Sequence, residues 1–154
     1  MELTSILKPE AVRVAGNASS KKRLFLDLAD IASSVFGIDR EDAVDALLER
    51  ESLGPTGVGK GVALPHARLE GLEEVSGVFL RLEKPLDFNA VDRQPVDLVF
   101  ALFAPRNAGV DHLKALALVS RTMRDPSICT KLRANSDPAA LHAILTESQA
   151  VKAA

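Results

Sequence analysis

Residues Gly54 to Arg68 read GPTGVGKGVALPHAR, and two kinds of phosphate chemistry overlap in them. Gly54, Gly59 and Lys60 have the spacing of a phosphate-cradling loop, but Gly61 stands where that loop needs a hydroxyl. The same run ends in His66, behind Pro65 and a short apolar stretch. The first pattern would bind a nucleotide; the second would carry a phosphoryl group on an imidazole. Context rejects the first. A nucleotide loop needs a buried strand before its glycines and a helix after them, so that the helix N-terminus faces the phosphates. Here the helix-like segment Asp39 to Arg50 comes first, and Pro65 breaks any helix starting afterwards. The absent hydroxyl also removes the usual magnesium contact.

Imidazole near neutral pH is both a nucleophile toward phosphorus and a leaving group. A histidine used this way needs access, a fixed orientation and donors for the phosphoryl oxygens. Pro65 stiffens the backbone before it. Gly54, Gly57, Gly59 and Gly61, with Thr56 among them, are expected to bring main-chain N–H groups close and form a phosphate-binding loop. Arg50, at the expected C-terminal end of a helix, can reach toward the group. Arg68 shares a face with His66 if both lie on a strand. His112 follows Asp111 at the start of an apolar-striped helix. It is either a first-turn residue beside an Asp111 N-cap or a second imidazole brought next to His66.

Each member also has a plainer reading. His66 can be an ordinary surface or core histidine, the glycines a simple loop, Arg50 a solvated helix residue, and Arg68 the partner of Glu70. His142, between Leu141 and Ala143, reads as structural. A zinc site built from His66, His112 and Asp111 or Asp92 has no HxxxH or CxxC spacing behind it, so no metal or cofactor is expected.

The elements that must position these residues follow from pattern. Gly16 to Ser20 reads as a loop ending at an N-cap, before a helix over Lys21 to Ser33. A second helix spans Arg40 to Glu51, capped by Asp39. Gly61 to Pro65 and Val75 to Leu82 read as strands, Lys84 to Asn89 as a turn with a buried Phe88. Val96 to Ala104 is nearly all apolar, as in a central strand covered on both faces, and Pro105 ends it. Asp111 to Arg124 is a helix with Leu113, Leu116, Val119 and Met123 on one face. Asp125-Pro126 opens a helix through Leu132, and Asp137-Pro138 opens another to about Thr146. Helices, then strands, then helices around one sheet give an α/β sandwich.

The 154 residues, 47% hydrophobic and 26% charged, suffice for a single domain, residues 1–154, with a substantial core. A net charge of −2 and the lack of Trp and Tyr argue against nucleic acid or anionic membranes as partners. Cys129 is the lone cysteine and suits a reducing compartment. Met1-Glu2-Leu3-Thr4 does not open a signal peptide, and Leu98 to Ala104 is too short to span a bilayer. A cytoplasmic soluble protein is expected.

Arg50 to His66 as a whole closely resembles the active-site signature of enzyme IIA domains of the fructose/mannitol class, in the phosphoenolpyruvate-dependent phosphotransferase system. Leu86 to Asp92, Pro95 to Phe100 and Asp111-His112-Leu113 resemble further blocks of that family. Ile6-Leu7-Lys8-Pro9 and Lys21-Lys22 resemble its stand-alone, nitrogen-related branch. The resemblance implies a mixed β-sheet with helices on both faces. It implies His66 as phosphoacceptor, Arg50 as the arginine that orients and neutralises the phosphate, and His112 as the second active-site histidine. Phosphate would come from an HPr-like phosphohistidine carrier. Pro55 and Lys60 depart from the pattern, Lys60 standing where asparagine is common. With no enzyme IIB or membrane-spanning IIC segment in the sequence, a regulator that signals to a target protein is expected. The alternatives are a component that passes phosphate to a separate IIB in sugar uptake and a phosphate-independent interaction module.

Overall fold

The computed structural model describes residues 1–15 and 18–153, with side chains through residue 147. In chain order its elements are α1 (Leu3–Ile6), a 3-10 turn (Pro9–Ala11), β1 (Val12–Ala15), α2 (Lys21–Phe36), α3 (Arg40–Ser52), β2 (Gly57–Gly59), β3 (Val62–Ala63), β4 (His66–Leu69), β5 (Ser76–Leu86), β6 (Val96–Pro105), α4 (Val110–Met123), α5 (Pro126–Arg133) and α6 (Pro138–Ala153).

The apolar run expected as a central strand is β6, and the sheet is built around it. The strand order is β1-β5-β6-β3-β2, with β4 also paired to β6. β1 runs parallel to β5, and β3 and β4 run parallel to β6; β5–β6 and β2–β3 are antiparallel. Side chains of β6 alternate between two cores. Val99, Ala101 and Phe103 pack with Leu24, Phe25 and Leu28 of α2 and Ala43 and Leu47 of α3. Leu98, Phe100 and Leu102 pack with Val119 of α4, Leu132 of α5 and Leu141 of α6. Helices therefore cover both faces of a mixed sheet, as the pattern and the resemblance imply.

Local chemistry explains where the helices begin. The Ser20 hydroxyl accepts from the N–H of Arg23 at 3.1 Å, Asp39 accepts from Asp42 at 3.0 Å, and Asp125 accepts from Ser127 at 2.9 Å with Pro126 at N1. Gly16 and Asn17, in the expected first loop, lie outside the described residues.

The structure departs from these expectations in several places. β1 was not foreseen: four residues carry too little alternation to announce a strand, and its existence depends on pairing with β5, Val12 beside Phe79. β5 continues through Pro85 to Leu86 where a turn is expected. Its register with β6 breaks between Arg81 and Leu86, and an irregular stretch tolerates a residue without an N–H. Phe88 beyond it is fully buried, as expected. The N-cap of α4 is Gly109, at φ 56°, not Asp111, which lies within the first turn. Leu113 is not a core residue: it is 62% exposed, because the buried stripe of α4 runs through His112, Ala115, Val119 and Met123. α6 also extends past Thr146 to Ala153. Among the described residues no helix is long and apolar enough to cross a membrane.

Candidate functional site

β3 and β4 flank the same edge of β6 one after the other, with Val62 beside Leu98 and His66 beside Leu102. They are one strand interrupted at Leu64-Pro65. Pro65 has no N–H to give, but its carbonyl accepts from Leu102 at 2.9 Å, so the break keeps its place on β6. Within β4, Ala67 and Leu69 enter the core shared with α2 and α3. His66 and Arg68 lie on the other face, as a strand's alternation requires. α3 packs against β4, which brings Arg50 in its last turn to His66.

The ring of His66 is held at both nitrogens. Arg50 Nε donates to Nε2 at 3.2 Å, and Nδ1 lies 3.0 Å from the Leu64 carbonyl. A guanidinium can only donate and a carbonyl can only accept. One tautomer satisfies both contacts: the proton sits on Nδ1, and Nε2 carries the lone pair. Burial holds the His66 pKa below its usual value near 6.5; the Leu64 carbonyl and Glu51 pull it up, while Arg50 and Arg68 push it further down. The ring is a neutral base with its lone pair on Nε2.

His112 stands beside it, ring centroids 5.7 Å apart. It is buried, and its Nδ1 has no hydrogen-bond partner among the described residues. Burial first, then the charge of Arg68 and the neighbouring His66, hold its pKa low as well. Arg50 Nη1 also donates to the Gly54 carbonyl at 2.9 Å, which fixes the guanidinium plane.

These groups line an open hollow of about 590 Å³ with Glu49, Arg106, Leu53, Leu113 and Leu116. Its wall is cationic and its rim apolar, Leu53 being 81% exposed and Leu113 62%. His66, His112, Arg50 and Arg68, all singled out in the sequence, therefore meet in one place. The glycine loop does not join them. Gly57 packs on Phe88 and Ala90, Gly59 on Asp92, and Gly61 beside Arg133 and Asp97. Thr56 is buried, with its N–H and hydroxyl both bonded to Glu51. None of the four lines the hollow, because the loop runs away from β4 to form β2 against β3. Gly61 explains its own residue type: at φ 79°, a Cβ there would lie 2.6 Å from Arg133 Nη2.

Sequence reasoning missed Arg106 and the exposure of Leu53. Arg106 follows the apolar run and Pro105 directly, and being a cation at the end of the central strand was its only signal. It pairs with Glu70 at 3.4 Å, the partner considered for Arg68. His142 is structural, its Nε2 3.1 Å from the Leu7 carbonyl. No group of three or more metal-ligating side chains forms among the described residues.

Residues 5–148 match the family model "Phosphoenolpyruvate-dependent sugar phosphotransferase system, EIIA 2". The chain is 47% identical over 145 residues to a nitrogen regulatory protein of Bradyrhizobium diazoefficiens, covering 94% of this chain and 95% of the relative. It is similar to the crystal structure of nitrogen regulatory protein IIA-Ntr from Neisseria meningitidis, with a TM-score of 0.85 and 35% identity over 94% of this chain and 99% of that one. It shares a fold, at TM-score 0.74 and 21% identity, with the mannitol enzyme IIA of Escherichia coli, solved in complex with phosphorylated enzyme IIB; the match covers 91% of this chain and 98% of that one. The chain belongs to the EIIA 2 family of the phosphoenolpyruvate-dependent sugar phosphotransferase system.

Proposed function

We propose that this protein is a phosphocarrier with a nitrogen-related regulatory role, which accepts a phosphoryl group on Nε2 of His66 from the phosphohistidine of an HPr-like carrier. The observation that carries this reading is the tautomer, with Nδ1–H on the Leu64 carbonyl and the Nε2 lone pair facing the Arg50 guanidinium. In the transfer, Nε2 attacks phosphorus in line, the N–P bond to the carrier breaks, and the carrier's imidazole, protonated on its other nitrogen, takes the bonding pair and leaves as a neutral ring. The new phosphohistidine keeps its Nδ1 proton, and the Leu64 carbonyl stabilises the positive charge that develops on the ring. Arg50 Nε–H, displaced from Nε2, bonds a phosphoryl oxygen instead. His112 and Arg68 supply further donors, so the work is positioning and charge stabilisation.

The phosphorylated site adds close to two negative charges to a hollow rimmed by Leu53 and Leu113. A target protein whose contact surface covers that rim would bind one state and release the other. The reading puts the protein in the cytoplasm, where its buried free Cys129 stays reduced. A second reading, delivery of the phosphoryl group to a separate IIB, is supported by the complex formed by the mannitol neighbour of the same fold.

The test is incubation with phosphoenolpyruvate, enzyme I and the carrier, followed by intact mass. Wild type gains one phosphoryl group and His66→Ala none; equal labelling of the two removes His66 from the reaction. Addition of a IIB domain separates the two readings, since a delivering protein loses its label to it and a signalling protein keeps it.

A further inference from the structure

Glu51 sits one residue beyond Arg50, yet its carboxylate does not pair with that guanidinium. The side chain is 8% exposed and both oxygens are engaged elsewhere. Oε2 accepts from Lys21 Nζ at 3.0 Å and from the Thr56 N–H at 2.9 Å. Oε1 accepts from the Thr56 hydroxyl at 2.5 Å. Lys21 is itself held over the Phe88 ring, 4.8 Å from its centroid. A carboxylate so far out of water is costly unless paired and fully hydrogen-bonded, and this one is both.

Its grip matters because of what the gripped loop touches. Gly54, two residues before Thr56, gives its carbonyl to Arg50 Nη1. The Thr56 carbonyl accepts from the N–H of Leu64 at 2.9 Å. The Leu64 carbonyl in turn accepts from Nδ1 of His66. Both contacts that define the acceptor, the plane of Arg50 and the tautomer of His66, therefore end on backbone that Glu51 holds.

We propose that Glu51, anchored by Lys21, is a positioning residue: by clamping Thr56 it sets the loop carbonyl that aims Arg50 and the peptide that fixes the His66 proton on Nδ1. It touches neither phosphorus nor the ring. The same clamp keeps a negative charge off Arg50, whose guanidinium stays available for a phosphoryl oxygen. The proposal rests on His66 being the acceptor, but its structural half does not.

Two readouts separate those halves. Long-range proton–nitrogen NMR of the resting protein reports the His66 tautomer, and phosphoryl uptake from phosphoramidate, with ammonia as leaving group, reports the rate without a protein donor. Wild type is expected to show Nδ1–H alone. Glu51→Ala is expected to show mixed tautomers and an uptake rate lower by about tenfold to a hundredfold. Glu51→Gln, which keeps an acceptor for the Thr56 N–H, is expected to restore the tautomer and most of the rate. A merely structural residue would lower the melting temperature of Glu51→Ala without moving the tautomer. Folded Glu51→Ala with the wild-type tautomer and rate overturns the proposal. If Glu51→Ala does not fold, Thr56→Val decides: lowered uptake with mixed tautomers supports the clamp, and no change in either refutes it. If wild type takes no label on His66, the acceptor reading fails, and the tautomer comparison alone still judges Glu51.

Discussion

Two arginines, each in the last turn of a helix, bracket the glycine loop and have opposite fates. Arg133, at the end of α5, donates from Nε to both oxygens of Asp97 at 2.9 and 3.1 Å and from Nη2 to one of them at 3.0 Å; Nη2 also reaches the Lys60 carbonyl at 2.8 Å. Arg50, at the end of α3, likewise reaches a loop carbonyl, that of Gly54, but its other contact is a neutral imidazole. No ion pair to Arg50 forms among the described residues, and of its two acidic sequence neighbours, Glu49 and Glu51, the second is held by Lys21 and Thr56. A guanidinium satisfied by a bidentate carboxylate fastens structure. One satisfied only by neutral acceptors keeps its charge for an incoming anion. Position along a helix does not distinguish the two; the second partner does.

Exchanging the two roles by mutation gives the largest expected effects. Arg50→Ala lowers phosphoryl uptake by about a hundredfold to a thousandfold, the scale for removing one donor to a transferring group. Its stability falls less than that of Arg133→Ala. Arg133→Ala loses about 1–2 kcal/mol, since the Asp97 pair is partly open to solvent, and leaves uptake per folded molecule close to wild type. Uptake kinetics and denaturant melts on the two variants check this crossing, and parallel losses in both would erase the contrast.

A smaller effect appears in the pH profile. Burial depresses the His66 pKa, so the midpoint of the loss of uptake on acidification, when Nε2 takes a proton and the lone pair is lost, falls below 6.5. Arg50 and Glu51 of α3 and Arg68 of β4 are the charged groups that act on this point, and the titratable ring of His112 of α4 stands beside it. A half-point above 6.5 would mean that the ring is not desolvated as described.

The smallest effect lies at the Arg133 end of the loop. Lys60 is held at φ 57°, a left-handed conformation that asparagine tolerates better than lysine. Lys60→Asn stabilises the fold by about 0.5–1 kcal/mol, measured by thermal melt, with uptake unchanged. The departure noted in the sequence at this position is thus a backbone matter, remote from His66.

What the sequence made legible was what acts locally. Ser20, Asp39 and Asp125-Pro126 cap their own helices, so the starts of α2, α3 and α5 could be read from the sequence, whereas the end of α2 lies at Phe36, beyond the expected Ser33. The apolar run of β6 announced a strand buried on both faces. His66, Arg68, Arg50 and His112 were legible as candidates by residue type and motif, and the fold brings all four to one hollow. The glycine loop misled because glycine reports freedom of the backbone, not what approaches it; here Asp97 and Arg133 approach Gly61 and no ligand need do so. β1, Arg106 and the clamp at Glu51 depend on partners distant in sequence or on a choice between neighbouring cations, and a linear reading contains neither.

The central claim concerns one nitrogen atom. Phosphorylating ¹⁵N-labelled protein with phosphoenolpyruvate, enzyme I and the carrier, then correlating phosphorus with the ring nitrogens of His66, tests it most directly. The account predicts phosphorus on Nε2, with Nδ1 still carrying its proton against the Leu64 carbonyl. Phosphorus on Nδ1, or on any residue other than His66, contradicts it.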